Sequence, residues 1–225
     1  MNLFKRGMIF MTFFVSCIAM ALLVASLGTK HWVNAKAKRL KNPMESDGKI
    51  NFGLFDGKKE LNVAYGWRTY DIDVVHLLRY EPEFLMYGLW IGTVTSISAA
   101  LLFSVFSSIF AAVNTATNTY RFLTGVSGLY FWNFLAFLAD LCAIGFWVAQ
   151  FFFRIHYNVL SREDKDNEWT SEGMAELGYS FWFAVGAAAA MLVNIIIVFI
   201  ANSDKEVETV IPVLEEKTNG AIMLY

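Results

Sequence analysis

Four stretches of this chain carry almost no charge, and each is long enough to cross a lipid bilayer. Residues 8–29, 84–120 and 177–203 contain no Asp, Glu, Lys or Arg, and residues 122–153 contain only Asp140. A helix needs ~20 apolar residues to span the hydrocarbon core. A soluble domain of 225 residues would have nowhere to bury four such runs. Only 17% of the residues are charged, where soluble domains carry about 25%. The expected fold is therefore an all-α membrane protein, a four-transmembrane-helix bundle. The first run reads as a retained span, because its apolar part is ~20 residues against about 7–15 for a signal-peptide core.

The runs divide the chain into a basic N-tail (1–7), span one (8–28), a long loop (29–83) and span two (84–112). A polar turn (113–122), span three (123–153), a second loop (154–177), span four (178–201) and a C-tail (202–225) follow. Pro82 suits the first turn of span two, with Glu81 and Glu83 near its positive end. The polar, acidic second loop reads as a solvated stretch, into which the third helix extends. The tail lacks a core of its own and reads as disordered. Lys and Arg do not settle the orientation. Loop 29–83 holds ten of the 18, loop 154–177 three, and the segments on the other side five. Counted alone, that bias puts the long loop in the cytoplasm, but the rule weakens for loops approaching ~60 residues.

Within the long loop, Ile50, Phe52 and Leu54 alternate with Asn51 and Gly53 before Asp56-Gly57. Asp-Gly after an alternating run signals a tight hairpin, because both turn positions need positive φ. The expectation is two strands, residues 50–55 and 58–63, joined at Asp56-Gly57.

Chemistry-bearing constellations are sparse. His31, His76 and His156 lie in different segments without metal-ligand spacing. No Ser/His/Asp set, phosphate-binding loop or paired intramembrane carboxylate stands out, so the expectation is a non-enzymatic protein without cofactor, metal or nucleic-acid partner. Cys17 and Cys142 fall inside spans and are expected to pack as small hydrophobes. Asp140 is the one ionisable residue deep in a span, and such residues usually face the bundle interior. Asn133 lies two turns away on the same face, and Asn194 in span four is a candidate partner. A hydrogen-bonded joint between helices is the favoured reading; an ion or proton path is the alternative. In span two, Gly88, Gly92, Ser96, Ala100, Ser104, Ser108 and Ala112 recur every fourth residue. Small residues let membrane helices approach closely, within the bundle or against a second chain. Steps of four drift ~40° each, so one neighbour can use only part of this ridge. At the C-terminus, Met223 and Tyr225 alternate as PDZ-domain ligands do.

Several short strings, in order, resemble the clarins. "LGTKHWVNA" places Trp32 just past span one, and "NFGLFDG" (Gly53, Leu54, Phe55, Asp56 and Gly57 within it) follows about twenty residues later. "SGLYFWN" opens span three, "RIHYNVLS" follows it, "SFW" opens span four, and the chain ends in "MLY". Clarins belong to the tetraspan clan of claudins, peripheral myelin proteins and channel gamma subunits. The resemblance implies both termini in the cytoplasm, the long loop outside, and a small antiparallel β-sheet in that loop capping the bundle. Trp32 and the Leu54-Phe55 pair would then pack where sheet meets membrane. It implies a plasma-membrane or vesicle protein, acting as scaffold or accessory in membrane organisation, actin-rich sensory-cell specialisations or vesicle traffic. Partners would be the lipid bilayer, other membrane proteins (a channel, or a second copy), and a PDZ-domain or actin-linked scaffold on the C-tail. An auxiliary channel subunit and a claudin-like adhesion protein are the alternatives. The chain departs from the clan in having no first-loop cysteine pair, and from clarins in lacking a glycosylation sequon.

Overall fold

The computed structural model describes residues 3–62, 66–117 and 123–219, with side chains through Ser203. Four long apolar helices form the bundle: α1 (Leu3–Gly28), α3 (Tyr87–Ala116), α4 (Val126–Gln150) and α6 (Tyr179–Asn219). By length and composition all four can cross a membrane, α6 over Tyr179–Ser203. α1 packs on α3 and α6, and α4 packs on the same two.

The buried positions explain why these helices associate. They fall at Ile9, Thr12, Ser16, Ala19, Leu23 and Ser26 in α1, and at Trp90, Thr93, Ile97, Ala100, Ser104, Ser107, Ala111 and Asn114 in α3. They continue at Asn133, Ala136, Asp140, Ala143, Trp147 and Gln150 in α4, and at Ser180, Ala184, Ala187, Met191, Asn194, Val198 and Ala201 in α6. Apart from Ser108 in α3, Gly128 in α4, and Phe181 and Ala188 in α6, which are buried beside the seam, the series alternate steps of three and four, the heptad spacing that keeps one seam facing its neighbours as helices supercoil. The seams are rich in Ala, Ser, Thr and Asn. In lipid, where Leu gains nothing by leaving the tails, small side chains permit close van der Waals packing and polar ones bond across. Phe10, Phe14, Ile18, Leu102, Ile109, Phe134, Leu138 and Phe199 point outward.

Only part of the small-residue ridge lies on this seam. Ala100, Ser104 and Ser108 are buried and Ser96 is half-buried, but Gly88 and Ala112 at the two ends are exposed. A row of every fourth residue rotates off the interface, whereas the 3.5 spacing stays on it. Gly92 sits at the edge, where an added Cβ would meet the Phe146 ring of α4.

One end of the bundle carries an antiparallel sheet. Its strands are β1 (Val33–Arg39), β2 (Gly48–Phe52), β3 (Asp56–Asn62) and β4 (Trp67–Asp73) from the first loop, plus β5 (Trp169–Thr170) and β6 (Ala175–Leu177) from the second. The order is β4-β3-β2-β1-β5, with β6 also on β1. Val33, Ala35, Ala37, Ile50 and Phe52 alternate inward onto the bundle. Two short helices flank the sheet, α2 (Val74–Tyr80) and α5 (Arg162–Asp166).

The hairpin turn is not at Asp56-Gly57. Both residues belong to β3, Phe52 pairs with Gly57, and the chain reverses through Gly53, Leu54 and Phe55, closed by the Gly53 N–H donating to the Asp56 carbonyl at 2.8 Å. Gly57 does not have positive φ; among the described glycines only Gly66 and Gly173 do. It is glycine because a Cβ would strike the Asn51 carbonyl and Phe52. Burial of Leu54 overrides the local preference of Asp-Gly. Other boundaries also move. α1 begins at Leu3, so Lys5 and Arg6 are helical. Pro82 lies in a turn before α3, which starts at Tyr87 without a side-chain cap. After α4 the chain runs through one π-helical segment, Phe151–Ile155, and then turns instead of continuing as α-helix. The second loop is no solvated stretch: it supplies α5, β5, β6 and the buried Trp169. The tail expected to lack structure continues α6 to Asn219. Cys142 is exposed and Cys17 half-buried, so neither is a fully packed core thiol.

Candidate functional site

Two clusters concentrate the polar contacts: the joint between cap and bundle, and a layer inside the bundle.

Tryptophans build the joint. Trp32, fully buried just before β1, donates its Nε1–H to the Ser26 carbonyl at 2.7 Å and packs edge-on against Trp147 of α4 at 4.9 Å. From the other direction, Trp90 of α3 donates Nε1–H to the Leu54 carbonyl at 2.7 Å, while Phe55 meets its ring edge-on. Ser26 is the last seam residue of α1, so its carbonyl lacks a partner four residues on and is free to accept. Gly53 lies so close to the Thr29 carbonyl and Lys30 Cα that a Cβ has no room. Lys30 pairs with Asp56 at the surface. The start of α6 closes the same joint. Ser180 Oγ lies 2.6 Å from Thr29 Oγ1 and accepts from the His31 N–H at 3.2 Å, and the Ser180 carbonyl accepts from Ser26 Oγ. The "FGLFDG" residues are thus a docking loop. Trp90, Trp147 and Ser180 belong with them, although only periodicity marks them in the sequence.

The two loops are clamped by Lys59 of β3 and Asp164 of α5, whose side chains are 16% and 9% exposed. Asp164 also accepts from Ser161 Oγ, and the Lys59 ammonium lies over the Tyr70 ring. Removing one partner of such a buried pair leaves an uncompensated charge.

The interior layer takes one residue from each helix. Asn194 Nδ2 donates to Ser16 Oγ at 2.8 Å and to Asn133 Oδ1 at 3.2 Å, and Ser16 Oγ lies 3.3 Å from Ser107 Oγ. Asn133 Nδ2 donates back to the Leu129 carbonyl of its own helix. Asn133 and Asn194 therefore meet, but Asp140 does not join them. It is fully buried, and neither carboxylate oxygen has a protein partner among the described residues. Two turns of helix separate it from Asn133, more than a side chain bridges.

The histidines do not converge: His31 stacks on Tyr179, His76 on Tyr80, and His156 lies beside Phe151. Among the described residues no group of three His, Cys, Asp or Glu could hold a metal ion. Met223 and Tyr225 lie outside the described residues.

Four apolar helices capped at one end by a β-sheet built from both loops define a multi-pass tetraspan membrane protein. The chain belongs to the clarin family, since residues 4–198 match the family model described as Clarin-2-like. Clarin-3 of Homo sapiens is similar at 25% identity over 203 residues, covering 87% of this chain and 85% of its own. Clarin-3 of Rattus norvegicus is 24% identical, covering 79% of each chain, and that of Mus musculus 22%, covering 86% of each.

Proposed function

We propose that this protein is a non-enzymatic membrane scaffold or accessory protein. The observation that carries the reading is the direction of its polar chemistry. Inside the membrane, hydrogen bonds are spent between its own helices, and the outward surface is aliphatic and aromatic. Outside the bundle, both loops merge into one sheet whose last strand, β4, exposes Trp67 and Tyr70. An unpaired strand edge is a template for another chain. The clarin resemblance extends the reading to the plasma membrane or vesicles, to sensory-cell membrane specialisations, and to a PDZ or actin-linked partner on the C-tail. On this reading the sheet lies on the extracellular or lumenal side. A tag inserted at the exposed Met44 should then be reached by antibody on intact cells and a C-terminal tag should not; the reverse pattern would place the sheet in the cytoplasm.

The decisive experiment is affinity purification from native membrane in mild detergent, with co-purifying proteins identified by mass spectrometry. Membrane proteins lost when the cap is disrupted by Gly57→Val support a scaffold. A stoichiometric pore-forming chain would make it an auxiliary channel subunit. Recovery of the chain alone would overturn the reading.

A further inference from the structure

The heptad seams place Asp140 in a level of its own. One heptad from the Ser16–Ser107–Asn133–Asn194 layer towards the sheet, ~10.5 Å along the axis, the seam residues are Leu23, Ala100, Asp140 and Ala187, all fully buried. The lower layer has a polar group on every helix, and they bond to one another, with Asn194 Oδ1 the one of their atoms left without a partner. The upper one has, by the same heptad count, a carboxyl on one helix and only a leucine and two alanines on the other three. From α1, α3 and α6 no titratable side chain faces it. Among the residues whose side chains are described, Lys5, at the opposite end of α1, is the one charged residue on those three seams.

Buried carboxyls in folded proteins are satisfied by protein, water or an ion, because one left bare in an apolar interior is costly. Four helices close off this level, so neither lipid nor a partner helix reaches it. Only something small can. The same α4 seam continues towards the sheet through Trp147, whose Nε1–H has no acceptor, and Gln150, whose amide has no partner at either atom. It ends at the π-helical segment Phe151–Ile155, a distortion frequent at functional sites. On α3, Ser104 Oγ, one turn beyond Ala100, is also without a partner. Groups with unmet hydrogen-bonding capacity thus run along the bundle from Ser104 past Asp140 to Gln150.

We propose that Asp140 is the anionic ligand of a hydrated site inside the membrane, which takes up a small cation, a proton or a monovalent metal ion, from the sheet side along the Gln150 seam. Trp147 and Gln150 would hold the intervening water. The role is independent of the scaffold reading, because it needs no partner chain.

The test is infrared difference spectroscopy of the full chain in lipid nanodiscs. One arm exchanges H2O for D2O and steps the pH; the other replaces sodium by N-methylglucamine at constant pH. The expected result is a carboxyl band that shifts within minutes of D2O exchange and is absent in Asp140→Asn. Response to pH alone identifies a proton site, and bleaching by sodium identifies a metal-ion site. A second variant guards against misfolding of the first. Ala100→Ser keeps Asp140 but supplies a hydroxyl at its level, and should slow the exchange by about tenfold, the effect of one added hydrogen bond. A band that answers to neither arm over hours, or a spectrum unchanged by Asp140→Asn, overturns the proposal.

Discussion

The bundle and its cap are held together by opposite means. In the bundle, seams of Ala, Ser and Asn bring helices close, and each cross-helix bond is weak because an unfolded chain in lipid finds other partners. In the cap, water is the competitor. Apolar strand faces, two tryptophan anchors and one clamped ion pair hold a sheet that has no disulfide. Few contacts carry the cap and many carry the bundle, so single substitutions should damage the cap more.

The largest effect is expected from Lys59→Met, which strands Asp164 in a nearly buried site at a cost of about 3–5 kcal/mol. Thermal melts and protease digestion of the purified chain should show the cap opening first. The double variant with Asp164→Leu should recover part of the loss, and an unchanged melt would remove the clamp from the account. Gly57→Val should cost about 1–3 kcal/mol through overpacking against Asn51 and Phe52, read as retention in the endoplasmic reticulum. Gly57→Ala should also destabilise. Tolerance of Ala there would remove crowding by Asn51 and Phe52 as the reason for glycine. Trp90→Phe keeps the ring but leaves the Leu54 carbonyl unpaired, a loss of about 1–2 kcal/mol visible as faster proteolysis of the first loop. In the bundle, Asn194→Leu removes bonds to Ser16 and Asn133, yet should cost only about 0.6 kcal/mol and at most about 1.7. Size-exclusion yield and melting in detergent check this; a loss as large as that of Lys59→Met would erase the contrast between the regions. Smallest of all should be Gly88→Ala, where nothing lies near an added Cβ. Gly92→Ala, against Phe146, should be measurably worse.

The four spans were legible because the bilayer punishes charge over ~20 residues whatever the tertiary arrangement. The sheet was legible in part. Alternation over residues 50–54 marked a strand, but the turn was misplaced, since the Asp-Gly preference is local and the anchoring of Leu54 under Trp90 is not. Strands β5 and β6 left no signal, because two or three residues are too short for a period to show. At the interior site, the residue types stood out and their pairing did not. Asn133, Asp140 and Asn194 were all visible as polar residues in apolar spans. Which of them bond depends on the level each helix brings to the axis, a quantity set by the packing of all four.

By itself, then, the sequence determined the medium, the number of spans and the polar residues forced inward, because these follow from transfer free energies acting on each segment alone. Tertiary structure alone decided that the seams run at 3.5 and not at 4, and that two loops make one sheet clamped by Lys59 and Asp164. It also decided that Asn133 is satisfied while Asp140, one heptad on, is not. Each of these depends on which residues of distant segments meet, and a one-residue change of register would alter every one of them.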